Sequence, residues 1–289
     1  MHEHALTEEI IHTLEFDVFQ TLAASPSNTS ANRLFYSDCV KGIYLYHANC
    51  LELMDAILKK HPDGCFDMIF ADPPYFLSNG GITCKNGKMV LVNKGDWDKS
   101  QGVDQNHQFN TEWLSRCQKL LKKNGTIWVS GTHHVIHSIG FSMQQLGMKI
   151  LNEVTWEKPN PPPNLSCRYF THSTETILWA AKNEKSKHVF NYNLMRDEND
   201  GAQMKVVWKF KPPSNQEKKH GKHPTQKPVA LLDRIIRSST NKSDLILDPF
   251  CGSATTGVAA LQSGRKFIGI DSEIEYLDKL AIPRIADFP

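Results

Sequence analysis

No two of the seven cysteines stand in a C-x-x-C pair or at a metal-finger spacing, so the chain encodes neither a zinc module nor a dithiol redox pair. The thiols read as buried and reduced. H-E-x-x-H is absent, and no other histidine grouping has metal-ligand spacing. No run is apolar for long enough to cross a bilayer. The start, Met1–Ile10, lacks the basic residues and apolar core of a secretion leader, which points to the cytoplasm. Both G-x-G-x-x-G and G-x-x-x-x-G-K-[ST] are missing, which argues against a dinucleotide and against ATP. A formal net charge of +2 shows no overall basic excess, so any polyanionic partner must be met by local charge.

What is present is enough chain, 289 residues, for one α/β core and a smaller appendage. Residues 1–40 read as an extension, with a helix over Leu6–Leu22 and a loop over Ser25–Asn32. The body begins near Lys41. Strands are expected at Ile43–His47, Phe66–Ala71, Thr126–Ser130, Ile150–Trp156, Glu175–Ala181, Leu245–Leu247 and Lys266–Ile270. Helices are expected at Leu51–Lys60, Phe109–Lys123, His137–Leu146, Pro228–Ser239 and Thr255–Gln262, with Trp113, Cys117, Leu120 and Leu121 facing the core. Residues 76–108 are rich in glycine and polar groups and read as a mobile loop. Apolar strands alternating with helices imply a mostly parallel sheet covered on both faces. The expected divisions are 1–40, 41–182, a poorly patterned insertion at 183–222, and 223–289.

Two constellations carry chemistry. In the run Leu245–Thr256 a strand ends in Asp248, a glycine loop follows, and a helix starts at Thr255 and Thr256. Open α/β sheets place ligands at such strand ends. Asp271 ends the next strand, where a carboxylate can accept hydrogen bonds from both ribose hydroxyls of a nucleoside. Asp248 at the head of the loop suits a ligand with an ammonium group and repels pyrophosphate, which favours S-adenosylmethionine over NAD.

The second constellation is Asp72-Pro73-Pro74-Tyr75, directly after an apolar strand. Two prolines force the chain out of the sheet and fix where the Pro73 carbonyl points. A carboxylate and a rigid carbonyl can together hold both protons of an exocyclic amino group, freeing its lone pair for in-line attack on a methyl group. Tyr75 offers a flat face to a flipped base.

These residues resemble the DNA amino-methyltransferases in which the catalytic motif precedes the cofactor motif. In that family Asp-Pro-Pro-Tyr is catalytic and D-P-F-x-G-x-G-T-T binds the cofactor. The resemblance spans roughly residues 42–280. It implies a Rossmann-like methyltransferase fold with a mostly parallel seven-stranded sheet, helices on both faces and a small target-recognition insertion. It also implies catalysis by Asp72, Pro73, Pro74 and Tyr75. S-adenosylmethionine would be held by Asp72, Asp248, Pro249, Phe250, Gly252, Ser253, Thr255, Thr256 and Asp271, with Gln226, Lys227 and Pro228 of the run Gly221–Pro228 closing over its methionine end. Where the family has glycine this chain has Ala254, strained by roughly 1 kcal/mol if the position needs positive φ.

Aspartate at position 72 resembles the adenine-N6 subgroup. Cytosine-N4 or RNA amino-group methylation, and a non-catalytic nucleic-acid-binding module, remain as alternatives. The runs Asp67–Lys99 and Asn164–Trp179 are similar to the accessory methyltransferases of GATC restriction systems, which implies a paired endonuclease. Duplex and single-stranded DNA both stay open, as does a homodimer. The expected DNA contacts are Lys209, Lys211, Lys218, Lys219 and Lys222 in the lysine-rich stretch, Arg168 beside the base site, and Asn79 in the glycine-rich loop. No membrane partner and no metal are expected, because a sulfonium already activates the methyl group.

Overall fold

The computed structural model describes residues 33–78, 82–85, 88–91 and 95–288. The helix and loop expected at Leu6–Leu22 and Ser25–Asn32 lie outside those residues, as does Asn79. The strands are β1 (Arg33–Asp38), β2 (Ile43–His47), β3 (Phe66–Ala71), β4 (Ile82–Lys85), β5 (Lys88–Leu91), β6 (Leu121–Gly131), β7 (Lys149–Glu157), β8 (Thr174–Ala181), β9 (Val207–Lys209), β10 (Leu245–Asp248) and β11 (Lys266–Asp271). The longer helices are α1 (Cys50–Lys60), α2 (Val103–Leu120), α3 (Ile136–Gln145), α4 (Tyr192–Asp197), α5 (Val229–Ser239) and α6 (Thr255–Gln262).

One nine-stranded sheet runs in the order β1-β2-β11-β10-β3-β6-β8-β7-β9. Its central seven strands, β2 to β7, are the expected methyltransferase sheet. The pairs β2–β11, β11–β10, β10–β3 and β3–β6 are parallel, and β8 is antiparallel to both β6 and β7. Strand residues alternate between the two faces, as a period of two requires. Tyr44, Tyr46, Ile69 and Leu247 pack with α1, α2 and α3, while Ile43, Leu45, Met68 and Ile246 pack with α5 and α6. Both faces are therefore apolar, as they are in a sheet covered by crossover helices.

Helix α1 starts where Asn49 caps it, its side-chain oxygen accepting from the amides of Leu51 and Glu52. Helix α2 starts at Val103, earlier than expected, and gives way to β6 at Leu121. Its first turns are polar and show no apolar period. Trp113, Cys117, Leu120 and Leu121 are fully buried, as expected.

Three expectations change. Residues 33–38 belong to the sheet, since β1 pairs antiparallel with β2. Within 76–108, β4 and β5 pair as an antiparallel hairpin, and a 3-10 turn covers Asp96–Asp98. The excursion at 183–222 packs on the body: β9 extends the sheet beside β7, and Met195 and Trp208 are buried. The Trp208 ring lies 6.0 Å from that of Trp128, which stacks on Trp179 at 4.7 Å. This apolar contact, absent from any local pattern, draws the polar segment onto the sheet edge. Among the described residues no helix is long and apolar enough to cross a membrane.

Candidate active site

The pairing of β10 with β3 and with β11 brings the ends of three parallel strands together, so Asp248, Asp72 and Asp271 emerge on one edge of the sheet. A cavity of about 210 Å³ opens there. Of the expected cofactor residues, Asp72, Gln226, Lys227, Asp248, Pro249, Phe250, Gly252, Ser253, Thr255, Thr256 and Asp271 line it. Pro228 does not: it precedes the first turn of α5, where its fixed φ of −70° and missing N–H suit a helix start.

The glycine loop is built for close approach. Gly252 has φ +49°, and a Cβ there would lie 3.0 Å from Nε2 of His223. Ala254 adopts the left-handed conformation, φ 53° and ψ 40°, so the strain expected from its side chain is present. The loop is tied down from both ends. The Gly252 amide donates to Asp271 Oδ2 at 2.7 Å. Arg284 donates to the Ser253 carbonyl at 2.6 Å and to the hydroxyls of Ser253 and Thr255 at 2.9 Å.

Asp248 is buried, accepting from the Phe250 amide at 3.0 Å and the Thr256 hydroxyl at 2.6 Å. Burial pushes its carboxyl up to about 7 against those two hydrogen bonds, with the charges of Asp72 and Asp271 adding to the rise. Burial likewise lifts Asp271 to about 6, opposed by the amides of Glu273 and Gly252. Two crowded carboxylates with raised affinity for protons form a site that a cation relieves. The acidic wall, the apolar faces of Phe250 and Phe109 and the strand-end Asp271 therefore fit S-adenosylmethionine, which carries a sulfonium, an ammonium and a ribose.

Asp72 stands at the mouth of β3. Its Oδ1 accepts from the Tyr75 hydroxyl at 2.6 Å and its Oδ2 from Lys227 Nζ at 2.5 Å. The Tyr75 ring is 5% exposed, with its hydroxyl 3.4 Å from Ser130 Oγ. Burial holds the Tyr75 phenol well above its ordinary pKa, and the carboxylates of Asp72 and Glu175 add to this. Burial acts to lower the Lys227 pKa, but the charges of Asp72 and Glu175 outweigh it and keep the ammonium protonated.

The catalytic loop is held by Asp98, which is fully buried in the 3-10 turn and accepts from the amides of Tyr75 at 2.9 Å and Leu77 at 3.2 Å. It also accepts from Ser78 Oγ at 2.8 Å. Sequence reasoning gave Asp98 no role. It also passed over Glu175, Arg284 and the lining residues Trp97 and Tyr276. Each acts across the fold, where only topology reveals the partner. The His223 ring packs edge-on against Tyr276 at 4.3 Å.

The expected DNA contacts are less uniform. Arg168 is exposed in the β7–β8 loop, beside exposed Tyr169 and Phe170. Lys209 pairs with Glu157 at 3.0 Å and Lys219 with Asp287 at 2.8 Å. Lys218 donates to the Pro213 carbonyl. Lys211 and Lys222 are exposed. Among the described residues, no cluster of histidine, cysteine and acidic groups could hold a metal.

Residues 66–282 match the family model for DNA methylases. The chain is 57% identical to the type II methyltransferase M2.LlaDCHI of Lactococcus lactis subsp. cremoris, over 83% of its own length and 88% of that protein. It is 58% identical to the type II methyltransferase M2.DpnII of Streptococcus pneumoniae, over 79% and 85% respectively. Among solved structures it superposes on M1.HpyAVI in complex with SAM, with a TM-score of 0.64 and 31% identity over 84% of this chain and 98% of that one.

Proposed function

This chain belongs to the DNA methylase family, and from that premise we propose that it methylates the N6 amino group of adenine, within GATC, as a type II methyltransferase paired with a restriction endonuclease of the same specificity. It is a DNA methyltransferase, and S-adenosylmethionine is its cofactor. The observation that carries the reading is the meeting of Asp72 with the cofactor cavity: a carboxylate able to hold an amino proton lines the same space as Asp248 and Asp271.

The cofactor supplies an electrophilic methyl group on a sulfonium. The protein's own residues do the rest. Asp271 and Asp248 hold the ribose and ammonium ends, and the tied glycine loop fixes both. Asp72 accepts one amino N–H and the Pro73 carbonyl accepts the other, which turns the amino lone pair out of conjugation with the ring. As nitrogen gains its new bond it becomes cationic, and Asp72 takes the surplus proton. The buried charges at this end of β3 act with little solvent screening. Arg168, Lys211 and Lys222 contact phosphates.

The test is incubation with labelled cofactor and DNA, followed by digestion to nucleosides. Label in N6-methyldeoxyadenosine is expected, and label in N4-methyldeoxycytidine would overturn the base assignment. Modification mapping on plasmid DNA from expressing cells should place the mark in GATC. A different motif would overturn the site assignment and leave the adenine chemistry standing.

A further inference from the structure

Lys227 is a buried ammonium shared by two carboxylates. Its Nζ lies 2.5 Å from Asp72 Oδ2 and 3.6 Å from Glu175 Oε2, with the three side chains 6%, 13% and 11% exposed. Glu175 is fixed from its other side by Lys158, which binds Oε1. Charges therefore alternate along Lys158, Glu175, Lys227 and Asp72, from the end of β7 through β8 to the end of β3. In the structure described here both oxygens of Asp72 already have donors, the Tyr75 hydroxyl and Lys227. An incoming amino group must compete with them.

A lysine suits such an exchange. It is a compact point charge with three donors on a flexible stem, whereas a guanidinium would be locked in one plane. The Thr225 carbonyl at 3.3 Å and the Tyr75 hydroxyl at 3.2 Å already share its protons. Leaving Asp72 for solvent is not available to a buried ammonium, and leaving it for no partner would strand an unpaired charge. Glu175 removes that barrier, because a shift of about an ångström moves the ammonium from one carboxylate to the other.

We propose that Lys227 serves the base-binding side of the site, and that Glu175 is the positioning residue that draws it off Asp72 when the target amino group enters. This rests on the amino-group reading above. It gives Lys227 a role apart from holding the cofactor's methionine end, and it gives Glu175 its first role.

The experiment is a double-mutant cycle on Glu175→Gln and Lys227→Met in the full-length enzyme. The readouts are kcat at saturating cofactor and DNA, cofactor Kd by calorimetry, and Tm. Glu175→Gln should lower kcat by about tenfold or more while cofactor Kd stays within about twofold, because an undivided Lys227 now clamps Asp72. Adding Lys227→Met should recover part of that loss. A double variant no faster than Glu175→Gln alone overturns the proposal. Lys227→Met alone decides the matter if Glu175→Gln does not fold. A changed kcat with unchanged cofactor Kd supports the role, and a weakened Kd with kcat retained returns Lys227 to the cofactor. The wild-type product is identified in the same assays, so a wrong base appears there and a wrong role for Lys227 appears in the cycle.

Discussion

Asp248 and Asp271 make the cofactor cavity sensitive to pH. Their carboxyls stand at about 7 and about 6 in the folded protein, against 3.8 for a free aspartate. A raised folded value means that the native state binds protons more tightly than the unfolded chain. The associated stability is full below the unfolded value and is lost as pH rises through the folded values. The cofactor-free protein should therefore lose Tm between about pH 4 and about pH 7 on their account. A cationic ligand prefers the ionised pair, so cofactor affinity should rise over the same interval. Asp248→Asn, uncharged throughout, should flatten both trends; parallel slopes in the variant and the parent would contradict the assignment. Asp72→Ala should abolish transfer with the fold retained, read by circular dichroism. Near-normal turnover would remove the proton-holding mechanism. Asp271→Ala should weaken cofactor affinity more than kcat at saturation, because it anchors the Gly252 and Glu273 amides at the edge of the cofactor cavity and is the residue proposed to hold the ribose.

Elements divide into those that local sequence specifies and those that a distant partner specifies. Phe66–Ala71 was legible to its last residue because an apolar run meets two prolines. Arg284 was not legible, since nothing in Ile282–Ala286 announces that its side chain ends on Ser253 and Thr255. Glu175 and Asp98 escaped for the same reason, since each is an acidic residue whose partners lie elsewhere in the fold. The hairpin at β4 and β5 did have a local signal, the Asn86-Gly87 pair between two short β-prone runs, which the glycine and polar content of the region obscured. Helix α2 opens on Val103-Asp104-Gln105-Asn106, too polar to show a period. Arg284→Met tests the clamp on the cofactor loop. It removes three charge-assisted hydrogen bonds from a buried carbonyl and two hydroxyls. Stability should fall by about 1–3 kcal/mol and cofactor binding should weaken with it, measured by denaturant melts and calorimetry. Unchanged cofactor affinity would mean that the loop holds its shape without the clamp.

At the scale of the whole molecule the near-zero net charge hides a local basic stretch whose lysines are not equivalent. Lys209 and Lys219 already have carboxylate partners, whereas Lys211 and Lys222 have no ion pair with a described residue. Neutralising Lys211 and Lys222 together should reduce the slope of log affinity against log salt by about 1.8 on duplex DNA. Neutralising Lys209 and Lys219 should change it less, because their existing pairs must first be broken. Equal effects from the two pairs of substitutions would show that the ion pairs do not persist on DNA.

The adjacency of β3 and β10 has a consequence for how such a chain can be ordered. The catalytic aspartate and the cofactor loop meet because their strands are neighbours in the sheet, and no step depends on which is synthesised first. Lys41 Nζ donates to the Phe288 carbonyl, so the turn after β1 touches the end of the closing helical segments. Between α4 and β9 the chain passes through an exposed turn with Asp200 at φ 53° and Gly201 at φ 79°. A gene rearranged to open at Gly201, with a flexible linker joining the old ends, would carry the cofactor motif first and the catalytic motif second. Its protein should assemble the same cavity and bind S-adenosylmethionine with the parent's affinity. Motif order would then record where the polypeptide is cut, and the chemistry would be indifferent to it.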